Sequence, residues 1–441
     1  SFPYTFYPEE YSSFIATVPR HPEEVLEVTK LCYEEGIPIV TRGAHTNLSL
    51  HTVPTNGGCI VITKDLNRVC ELDEENLIIV VEPGLITKDI HKIVTHKGLF
   101  YPPDPGSFTV STIGGNVAEN ARGMKELKYG TIRDYVLGLG IITPYGDYVK
   151  AGSRTVKCVT GYNISGLMAG SKGIFGIFTE IILKLLPYPP QRKTTMAIFD
   201  RLVDAGETVA AIMGDNLLPA SIEIMDSFTI KAVNHYFCKC LPEDNGTQAI
   251  LLIESDGPHK VVERDMDRIT ALCKRHKAKE IQSAKNSEER GKIWSGRRAV
   301  LYALAKAYSR FILYDITVPN HKIPHIITKI HTISKKHDQL IGIFGHAGVG
   351  NLHSIFIVNK EDYESTKKLN MATHELFESV EHMGGVASTK YKMGFTRSQS
   401  VMKKDNGVNL GVIQEIKKAL DPKMILNTDR MTSHTLQHRY G

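Results

Sequence analysis

The feature that most constrains this chain is a long stretch from Tyr101 to about Gly130 in which glycine, proline and asparagine recur. The segments before it alternate between helix and strand: residues 21–36 have the pattern of a capped helix, and the apolar runs IPIVTRG and LIIVVEPG are typical of strands. A loop of that length is uncommon inside a compact domain unless it holds a ligand. The first third of the chain is therefore expected to form a ligand-binding domain of alternating helices and strands.

The rest of the chain indicates a second domain. With 441 residues, the chain is too long for one hydrophobic core and suits two or three domains. The proline-rich segment PYPP at 187–190 is typical of a domain boundary. Beyond it, the apolar runs AILLIES, FILYDITV and LHSIFIV alternate with helical patterns near 201–214, 258–276, 287–306, 321–337 and 360–383. This order predicts an α+β domain built around an antiparallel sheet.

Composition and charge exclude several classes of protein. The net charge of +5 is small and scattered, which suits small anionic ligands, and there is no basic stripe for nucleic acid. No apolar run approaches the roughly 20 residues that span a bilayer, so no transmembrane segment is expected. The seven cysteines show no paired spacing, which predicts a reducing compartment, either the cytoplasm or the mitochondrial matrix. The chain begins at Ser1 without a methionine, which leaves two explanations open: its N-terminus is processed, or the sequence is a fragment.

Six segments carry a resemblance to a known family. They are TRGAHTNLSL, GLFYPPDPG, STIGGNVAENARG, KYGTIRDYVLGL, GYNISGLMAGSKGIFGI and LDPKMILN. In this order they resemble the FAD-linked oxidases, which include D-lactate dehydrogenase, D-2-hydroxyglutarate dehydrogenase and the large subunit of glycolate oxidase. The resemblance implies the two-domain α+β FAD-binding fold of the vanillyl-alcohol-oxidase type. Residues 1–187 would form the FAD-binding domain, residues 188–415 an α+β cap domain with an antiparallel sheet, and residues 416–441 a C-terminal segment that returns to the FAD-binding domain.

FAD is the cofactor that the resemblance implies. Its diphosphate needs backbone N–H groups at close range, and only glycine-rich turns permit that approach. RGAHTN at 42–47 and TIGGN at 112–116 can provide such turns; the alternative is that these glycines only shape the chain. The residues expected around the cofactor are Arg42, Gly43, Ala44, His45, Thr46, Asn47, Pro102, Asp104, Thr112, Gly114, Gly115, Asn116, Ala121, Gly123, Tyr129, Gly130, Ile177 and Asn427.

The first of these segments departs from the family pattern. The family has R-G-A-G-T-G/N-L-S-G-G, whereas this chain has His45, Leu50 and His51 at three glycine positions. Each adds bulk where phosphate oxygens should approach, and Lys172 replaces a glutamate of the family's G-S-E-G-T-L-G. These changes are expected to weaken FAD binding without abolishing it. His45 is also a candidate for covalent attachment of the flavin.

A second candidate site lies in the second domain. The segment GIFGHAGVGNLHSIFIV has the pattern of a hairpin whose centre falls between Val349 and Gly350. His346 and His353 are equidistant from that centre, so they should face each other with Cβ atoms about 4.5–5.5 Å apart. Two imidazoles at that separation can share a divalent metal ion, as the corresponding histidines do in the family. The alternative is a pair of hydrogen-bonded histidines without an ion.

The residues that complete this site in the family are missing. In the family's G-G-x-x-S-G-E-H-G-I-G, a glutamate ligand and a histidine base stand at the positions of Lys390 and Tyr391, and Val349 replaces a family aspartate. An ammonium group repels a metal ion, and an unperturbed tyrosine, with a pKa near 10, is a poor base at neutral pH. The two histidines are therefore expected to be without a metal.

Two side chains that hold the substrate in the family have counterparts here. Arg297 or Arg298 matches the region of the arginine that binds the substrate carboxylate, and Asn351 is retained. Oxidation of a 2-hydroxy acid also requires a base for the hydroxyl proton. The retained cation and amide are therefore expected to hold an anion, whereas the proton acceptor of the family is absent.

Three hypotheses about function remain open. The first is FAD-dependent oxidation of a different small anion by a metal-free route, in which Lys390 lowers the pKa of Tyr391. The second is a catalytically inactive paralogue that serves as a structural subunit of a larger complex. The third is the 2-hydroxy-acid reaction of the family with a third metal ligand from the helix at 375–381. A small anionic substrate and a protein partner, either an electron-transfer subunit or a larger assembly, are the expected binding partners.

Overall fold

The computed structural model describes residues 14–47, 52, 54, 57–237, 239–244, 246–358, 363–389 and 408–427. These residues form two compact units. The first unit comprises 14–123, 130–188 and 408–427, and the second comprises 124–129 and 189–389. The short segment 124–129 therefore belongs to the second unit, although its sequence neighbours on both sides belong to the first. The domain bounds expected at 187/188 and 415/416 stay a prediction.

The described residues contain strands and helices in both units. The strands are β1 (Phe14–Thr17), β2 (Ile39–Arg42), β3 (Gly58–Ile62), β4 (Val69–Asp73), β5 (Ile78–Val81), β6 (Leu99–Phe100), β7 (Val136–Ile142), β8 (Tyr148–Gly152), β9 (Ile177–Lys184), β10 (Leu186–Pro187), β11 (Gln191–Phe199), β12 (Ser221–Asp226), β13 (Ala249–Gly257), β14 (Glu280–Ser283), β15 (Phe311–Thr317), β16 (Ile341–Gly345), β17 (Asn351–Ile357) and β18 (Val386–Thr389). The helices are α1 (Pro22–Glu35), α2 (Thr87–Thr95), α3 (Ile113–Glu119), α4 (Glu126–Tyr129), α5 (Ile164–Met168), α6 (Leu202–Gly214), α7 (Ser227–Tyr236), α8 (His259–Arg275), α9 (Ser287–Arg298), α10 (Val300–Ala307), α11 (Ile323–Lys336), α12 (Tyr363–His382) and α13 (Val408–Leu420). In this part of the chain, no helix is long and apolar enough to cross a membrane.

The first unit contains two main sheets. In the smaller one, the strands pair in parallel in the order β1-β3-β2. The larger sheet is antiparallel, with the order β4-β5-β9-β7-β8. One core of this unit combines α1, the parallel sheet and the C-terminal segment, and includes Val25, Val61 and Leu426. Leu426 forms a bridge with Ile39, so the segment after α13 lies against β2.

The second unit is built on an antiparallel sheet in the order β14-β11-β13-β12-β16-β17-β15-β18. Alternate residues of a strand point to opposite faces. On one face, side chains such as Ile222 and Leu352 pack with α6, α8, α11 and α12 in the main core. Their neighbours Glu223 and His353 therefore point to the other face, where α9 lies close enough for Arg297 to contact Glu223. This second face carries the polar residues of the candidate site.

The predicted fold class is confirmed. The protein is α+β, the sheet of the second unit is antiparallel, and the helices predicted at 201–214, 258–276 and 321–337 correspond to α6, α8 and α11 within two residues at each end. Two local expectations are wrong. The stretch 101–130, which the sequence predicts as a loop, contains α3 and α4. The glycines of α3 disfavour a helix in the sequence pattern, but the side chain of Thr112 caps its first turn. The helix expected at 287–306 is divided at Ala299, with Gly296 in the weakened last turn of α9.

Candidate functional site

Two glycine-rich segments of the first unit pack directly against each other. A Cβ atom added to Gly43 would lie 2.2 Å from Thr112 Oγ1, so the loop after β2 contacts the residue that precedes α3. Gly114 has no room for a Cβ atom either, because Pro83 lies 2.5 Å from that position. Thr112 Oγ1 also accepts a hydrogen bond from Gly115 N. The structure thus brings together the two segments that the sequence assigns to FAD.

The loop after β2 is held by Thr52. Arg42 Nε donates to Thr52 O at 3.1 Å, and His45 Nδ1 forms a hydrogen bond with Thr52 Oγ1. His45 has a φ of 55°, which is the left-handed conformation that favours glycine. The backbone at this position therefore has a conformation that glycine adopts more easily than histidine. Burial, followed by the charge of Arg42, lowers the pKa of His45. The other two substituted glycine positions, Leu50 and His51, lie outside the described residues.

Lys172 forms an ion pair within the same unit. Its Nζ atom lies 2.9 Å from Glu119 Oε2, and Asn47 Nδ2 donates to Glu119 Oε1 at 3.3 Å. The loop that carries Lys172 is fixed on α3, since Gly170 N donates to Val117 O at 2.9 Å. The replacement of the family glutamate is thus accompanied by an ion pair with Glu119.

Two predicted contact residues use their amides to connect segments of the protein. Asn427 Oδ1 accepts from Thr41 N at 3.0 Å, and Asn427 Nδ2 donates to Gly173 O at 2.7 Å. Asn116 Nδ2 donates to Thr87 Oγ1 at 2.6 Å. These amides position the walls of the predicted site, while direct contact with a cofactor stays a prediction.

The remaining predicted contacts divide into four groups. A Cβ atom on Gly123 would lie 2.8 Å from Asp104 Oδ1, so these two residues are adjacent. The side chain of Ile177 packs in a core of the first unit. Tyr129 belongs to the second unit, where its hydroxyl donates to Asp256 Oδ1 at 2.8 Å, so the structure does not group it with the others. The other contacts lie in the same segments of the first unit: Ala44, Thr46, Pro102, Ala121 and Gly130.

Four buried side-chain atoms of the first unit have no hydrogen-bond partner. They are Asn47 Oδ1, Tyr101 OH, Ser111 Oγ and Ser171 Oγ, and each lies in a segment that the sequence assigns to FAD; the described residues of this unit hold no other such side-chain atom. Buried polar groups are nearly always hydrogen-bonded. These oxygens and the close glycine contacts therefore fit a polar ligand such as FAD. Sequence reasoning missed Tyr101, Ser111 and Ser171, although all three stand inside the family segments.

The two histidines of the second unit lie side by side. The ring centroids of His346 and His353 are 5.3 Å apart, with the rings nearly perpendicular. The predicted cross-strand pairing is nevertheless wrong, because His353 pairs with Phe344 and His346 N-caps a 3₁₀ turn at 347–349. The hairpin centre therefore falls one residue earlier than the sequence pattern suggests. That shift leaves both histidines on one face of the sheet.

A carboxylate holds each imidazole through Nδ1. His346 Nδ1 donates to Glu223 Oε1 at 2.8 Å, and His353 Nδ1 donates to Asp315 Oδ1, its partner in the register of β15 and β17. A carboxylate can only accept, so Nδ1 carries a proton in both rings. Glu223 and Asp315 thus fix the tautomer and the orientation of both rings.

Arg297 and Asn351 are engaged within the second unit. Arg297 Nε and Nη2 lie 2.8 and 2.6 Å from Glu223 Oε2, both side chains are almost fully buried, and the guanidinium stacks on Phe344 at 4.7 Å from the ring centroid. Asn351 Nδ2 donates to Thr317 Oγ1 at 3.0 Å. The candidate carboxylate-binding groups are therefore engaged within the protein, although the buried Nη2 atom of Arg297 makes no hydrogen bond. Lys390 and Tyr391, the other two predicted catalytic residues, lie outside the described residues.

Comparison with protein families assigns both halves of the chain. Residues 15–152 match the FAD binding domain, and residues 188–431 match the FAD linked oxidases, C-terminal domain. The chain belongs to the FAD-linked oxidase family. Its cofactor is FAD, and the two matches include most residues of both candidate sites.

Known relatives of this FAD-linked oxidase agree with the assignment. The glycolate oxidase subunit GlcD of Bacillus subtilis is 39% identical, over 96% of this chain and 89% of its own length. The D-lactate dehydrogenase of Anaerostipes hadrus is 30% identical, over 93% and 87%. Among solved structures, 4-ethylphenol oxidase from Gulosibacter chungangensis has a TM-score of 0.75 at 18% identity, over 98% and 92%, and shares the fold. The protein is an FAD-binding oxidoreductase that resembles glycolate and D-lactate dehydrogenases.

The second site of this FAD-linked oxidase does not fit the divalent metal of its family. Metal sites in proteins take three or four ligands, and the described residues contain no group of three or more histidine, cysteine, aspartate or glutamate side chains that could hold an ion. The nearest carboxylates, Glu223 and Asp315, are hydrogen-bonded to the histidines themselves. Arg297 further places a cation on Glu223. Among the described residues, the histidine pair therefore lacks the ligand set for such an ion.

We predict that the purified FAD-linked oxidase holds no stoichiometric zinc, manganese or iron at His346 and His353. The reason is that two neutral imidazoles without a carboxylate ligand bind such ions weakly. Elemental analysis after dialysis should find far less than one ion per chain. One ion per chain, lost when either histidine is changed to alanine, would show the prediction to be wrong.

Glu375 of α12 is not available as an alternative third ligand. Its carboxylate binds Lys329 Nζ and Lys336 Nζ, both at 2.8 Å, and His337 Nε2 at 2.9 Å. These bonds, of which the one to Lys329 contributes most, lower the pKa of Glu375 from 4.5 to about 2. The carboxylate therefore joins α12 to α11. Of the glutamates that the third sequence hypothesis offers, Glu375 is therefore engaged elsewhere.

The ionisation of Glu375 predicts a pH dependence of stability. Because its pKa is lower in the folded protein, its contribution is present above about pH 4.5 and is lost as the pH falls towards 2. Glu375→Gln should lower the free energy of unfolding by about 1 kcal/mol near neutral pH, a value discounted because Lys336 is 59% exposed. The difference should be much smaller in urea unfolding at about pH 2.5. The exposed Glu378, changed to Gln, is the control and should show little difference at either pH.

Proposed function

We propose that this FAD-linked oxidase oxidises a small anionic substrate other than the usual 2-hydroxy acids, by a route without a metal. The observation that carries the proposal is the pair of imidazoles, each held through Nδ1 by its own carboxylate, with ring centroids 5.3 Å apart. An imidazole whose Nδ1 donates to a carboxylate can accept a hydrogen bond from a substrate hydroxyl through Nε2, and so orient that hydroxyl. The geometry thus supports substrate positioning by imidazoles.

The reaction removes a hydride from a carbon that bears a hydroxyl group and a proton from that hydroxyl, so that a carbonyl group forms. FAD, when bound, takes up the hydride. The proton passes to a protein side chain, for which we propose Tyr391, with Lys390 beside it to favour the phenolate and to attract the anion. Both residues stand where the family has its glutamate ligand and its histidine base.

The two halves of the chain have different roles in this proposal. Residues 1–187 and 416–441 form the FAD-binding domain, and residues 188–415 form the cap that carries the substrate site. The contacts of Asn427 with Thr41 and Gly173 support this assignment, because they join the C-terminal segment to the predicted FAD site.

A second function has its own support. Arg297 and Asn351, the groups expected to hold a substrate carboxylate, are bonded to Glu223 and Thr317 instead. An inactive paralogue that serves as a structural subunit needs no free substrate-binding groups. A protein partner is common to both proposals, and the relative from Bacillus subtilis is itself named as a subunit.

Anaerobic reduction of the bound flavin distinguishes the two functions. The full chain, loaded with FAD, is mixed with small anions that bear a hydroxyl group next to or one carbon beyond the acidic group, and flavin bleaching is followed in the blue region of the spectrum. Rapid bleaching by at least one compound, lost in Tyr391→Phe but retained in a Tyr188→Phe control, supports the enzyme. Absence of bleaching with every compound, in a protein that holds FAD fully, supports the structural subunit.

A further inference from the structure

Two helices of the second unit carry exposed aromatic side chains that lie next to one another. Tyr236 and Phe237 stand at the end of α7 and Tyr302 lies on α10, and they are 41%, 49% and 47% exposed, respectively. The ring centroids of Phe237 and Tyr302 are 6.3 Å apart, so the exposed rings form one group across the two helices. Contiguous exposed apolar surface marks an interaction site, whereas scattered single residues do not.

A second aromatic contact fixes the two helices relative to each other. Phe228, in the first turn of α7, stacks on Tyr308, which follows α10 directly, with ring centroids 5.3 Å apart. Phe237 and Tyr302 meet at the opposite end of the helix pair. Two contacts at opposite ends prevent the helices from turning against each other. The exposed rings are therefore held in place before a partner binds.

Three lysines without a carboxylate partner accompany the rings. Lys306 lies one turn after Tyr302 on α10, with its Nζ atom 5.8 Å from the ring centroid. Lys231 is in α7 and Lys239 follows the end of that helix, and both are exposed. Among the described residues, no carboxylate forms an ion pair with any of the three lysines. Glu243, the nearest carboxylate along the chain to Lys239, accepts a hydrogen bond from an asparagine side chain instead. We refer to the three rings and the three lysines as the aromatic–lysine patch.

The composition of the aromatic–lysine patch selects among the partners that it could bind. A second copy of the chain would bring like charges together across a two-fold axis. Interfaces between proteins are enriched in arginine and depleted of lysine, whereas the cations of the patch are lysines. Three rings at this exposure offer about 300 Å², well below the roughly 800 Å² that each partner buries in a stable protein interface. At the surface of a bilayer, in contrast, aromatic rings lie among the headgroups and lysines attract anionic lipids.

We propose that the aromatic–lysine patch binds the surface of an anionic lipid bilayer. The rings of Tyr236, Phe237 and Tyr302 enter the headgroup region, and the ammonium groups of the three lysines contact lipid phosphates. An aromatic ring supplies a large apolar contact, and the hydroxyl group of a tyrosine stays at the wet side of it. The lysines act at the membrane surface, so the contact weakens as salt screens their charge. The contact does not depend on the flavin reaction.

Vesicles of defined composition test the proposal with the full chain loaded with FAD. Co-sedimentation measures binding to vesicles of phosphatidylcholine alone and to vesicles with about 30% phosphatidylglycerol, each at low and high salt. The unmodified protein should prefer the anionic vesicles at least about tenfold at low salt. The triple variant Lys231→Gln, Lys239→Gln and Lys306→Gln should bind them about a hundredfold more weakly, because each lysine near an anionic surface contributes about fivefold. Phe237→Ser with Tyr302→Ser should weaken binding at least about tenfold.

Matched control variants separate the patch from the overall charge of the chain. Lys260→Gln with Lys274→Gln and Lys335→Gln removes the same charge from other exposed positions of the second unit. Tyr145→Ser with Tyr148→Ser removes two rings that are 40% and 48% exposed. Each control should change the binding to anionic vesicles by less than about threefold. Urea unfolding, followed by circular dichroism, checks that every variant is folded.

Three results would overturn the proposal. If the unmodified protein does not bind the anionic vesicles, a lipid surface is excluded and the patch is left to an acidic protein. If the control lysine variant loses as much binding as the patch lysine variant, the attraction belongs to the overall charge of the chain. If loss of the two rings leaves binding unchanged, the rings do not enter the headgroup region. If the double aromatic variant does not fold, Tyr236→Ser, which removes the third ring, replaces it and should weaken binding at least about threefold.

Discussion

Glycolate, D-lactate and D-2-hydroxyglutarate should be turned over at a negligible rate by the unmodified protein with an artificial electron acceptor. General-base catalysis alone contributes about 10²–10⁴-fold, and the base of the family is replaced here by Tyr391. The metal and its surroundings add further factors, and Lys390 and Val349 stand where a ligand and its neighbouring aspartate should be. Losses within one site do not simply add, but together they should leave rates far below the usual range of about 1–10³ s⁻¹.

The triple variant Lys390→Glu, Tyr391→His and Val349→Asp tests the cause of this loss. It restores the family's residues at the three positions and should gain measurable activity on at least one of the three acids. A matched control, Lys390→Gln with Tyr391→Phe and Val349→Ile, changes the same positions without restoring any group and should gain nothing. If the unmodified protein turned over one of the three acids at the usual rate of an enzyme, the proposed loss of the family's active site would be refuted. A variant that holds both flavin and metal yet stays inert would show that the damage extends further, as the occupied Arg297 already suggests.

Lys417→Met should destabilise the first unit by about 3–5 kcal/mol. Lys417 is fully buried, and its Nζ atom binds Asp421 Oδ2 at 2.5 Å, Leu426 O at 2.6 Å and Ile174 O at 2.7 Å. These bonds fix the C-terminal segment beside the predicted FAD site. Removal of the ammonium leaves Asp421 buried without its counterion, which is the costly way to break a buried ion pair. Urea unfolding of the flavin-free protein, followed by circular dichroism, measures the loss.

The adjacent residue of α13 provides the control. Lys418 pairs with Glu415 at the surface, where both side chains are more than half exposed, so Lys418→Met should change stability by less than about 0.5 kcal/mol. The double change Lys417→Met with Asp421→Asn removes the stranded charge and should recover part of the loss. Equal stability of Lys417→Met and Lys418→Met would contradict the argument.

Local patterns predicted much of the fold for clear physical reasons. The helices α6, α8 and α11 follow from apolar periodicity, which depends only on residues a few positions apart. His346 and His353 lie on one face of the sheet, as predicted, although the predicted register was wrong. Moving the centre of the hairpin by one residue shifts each cross-strand partner by two residues, and a shift of two residues along a strand keeps a side chain on the same face. The centre itself depends on the 3₁₀ turn at 347–349, where Asn320 Nδ2 donates to Gly348 O at 2.9 Å. No local pattern contains that contact.

The sequence by itself determined the family, the cofactor and the order of the two domains, because glycine-rich segments in a specific order carry that information locally. Only the tertiary structure decided what the site residues bind. Glu223 lies 123 positions before His346 and 74 before Arg297, yet it bonds to both. These contacts arise because β12 pairs with β16 and α9 lies over the same face of the sheet. Sheet order is a non-local property of the chain. For that reason the sequence predicted that Arg297 binds a substrate, whereas in the structure Arg297 binds the buried Glu223.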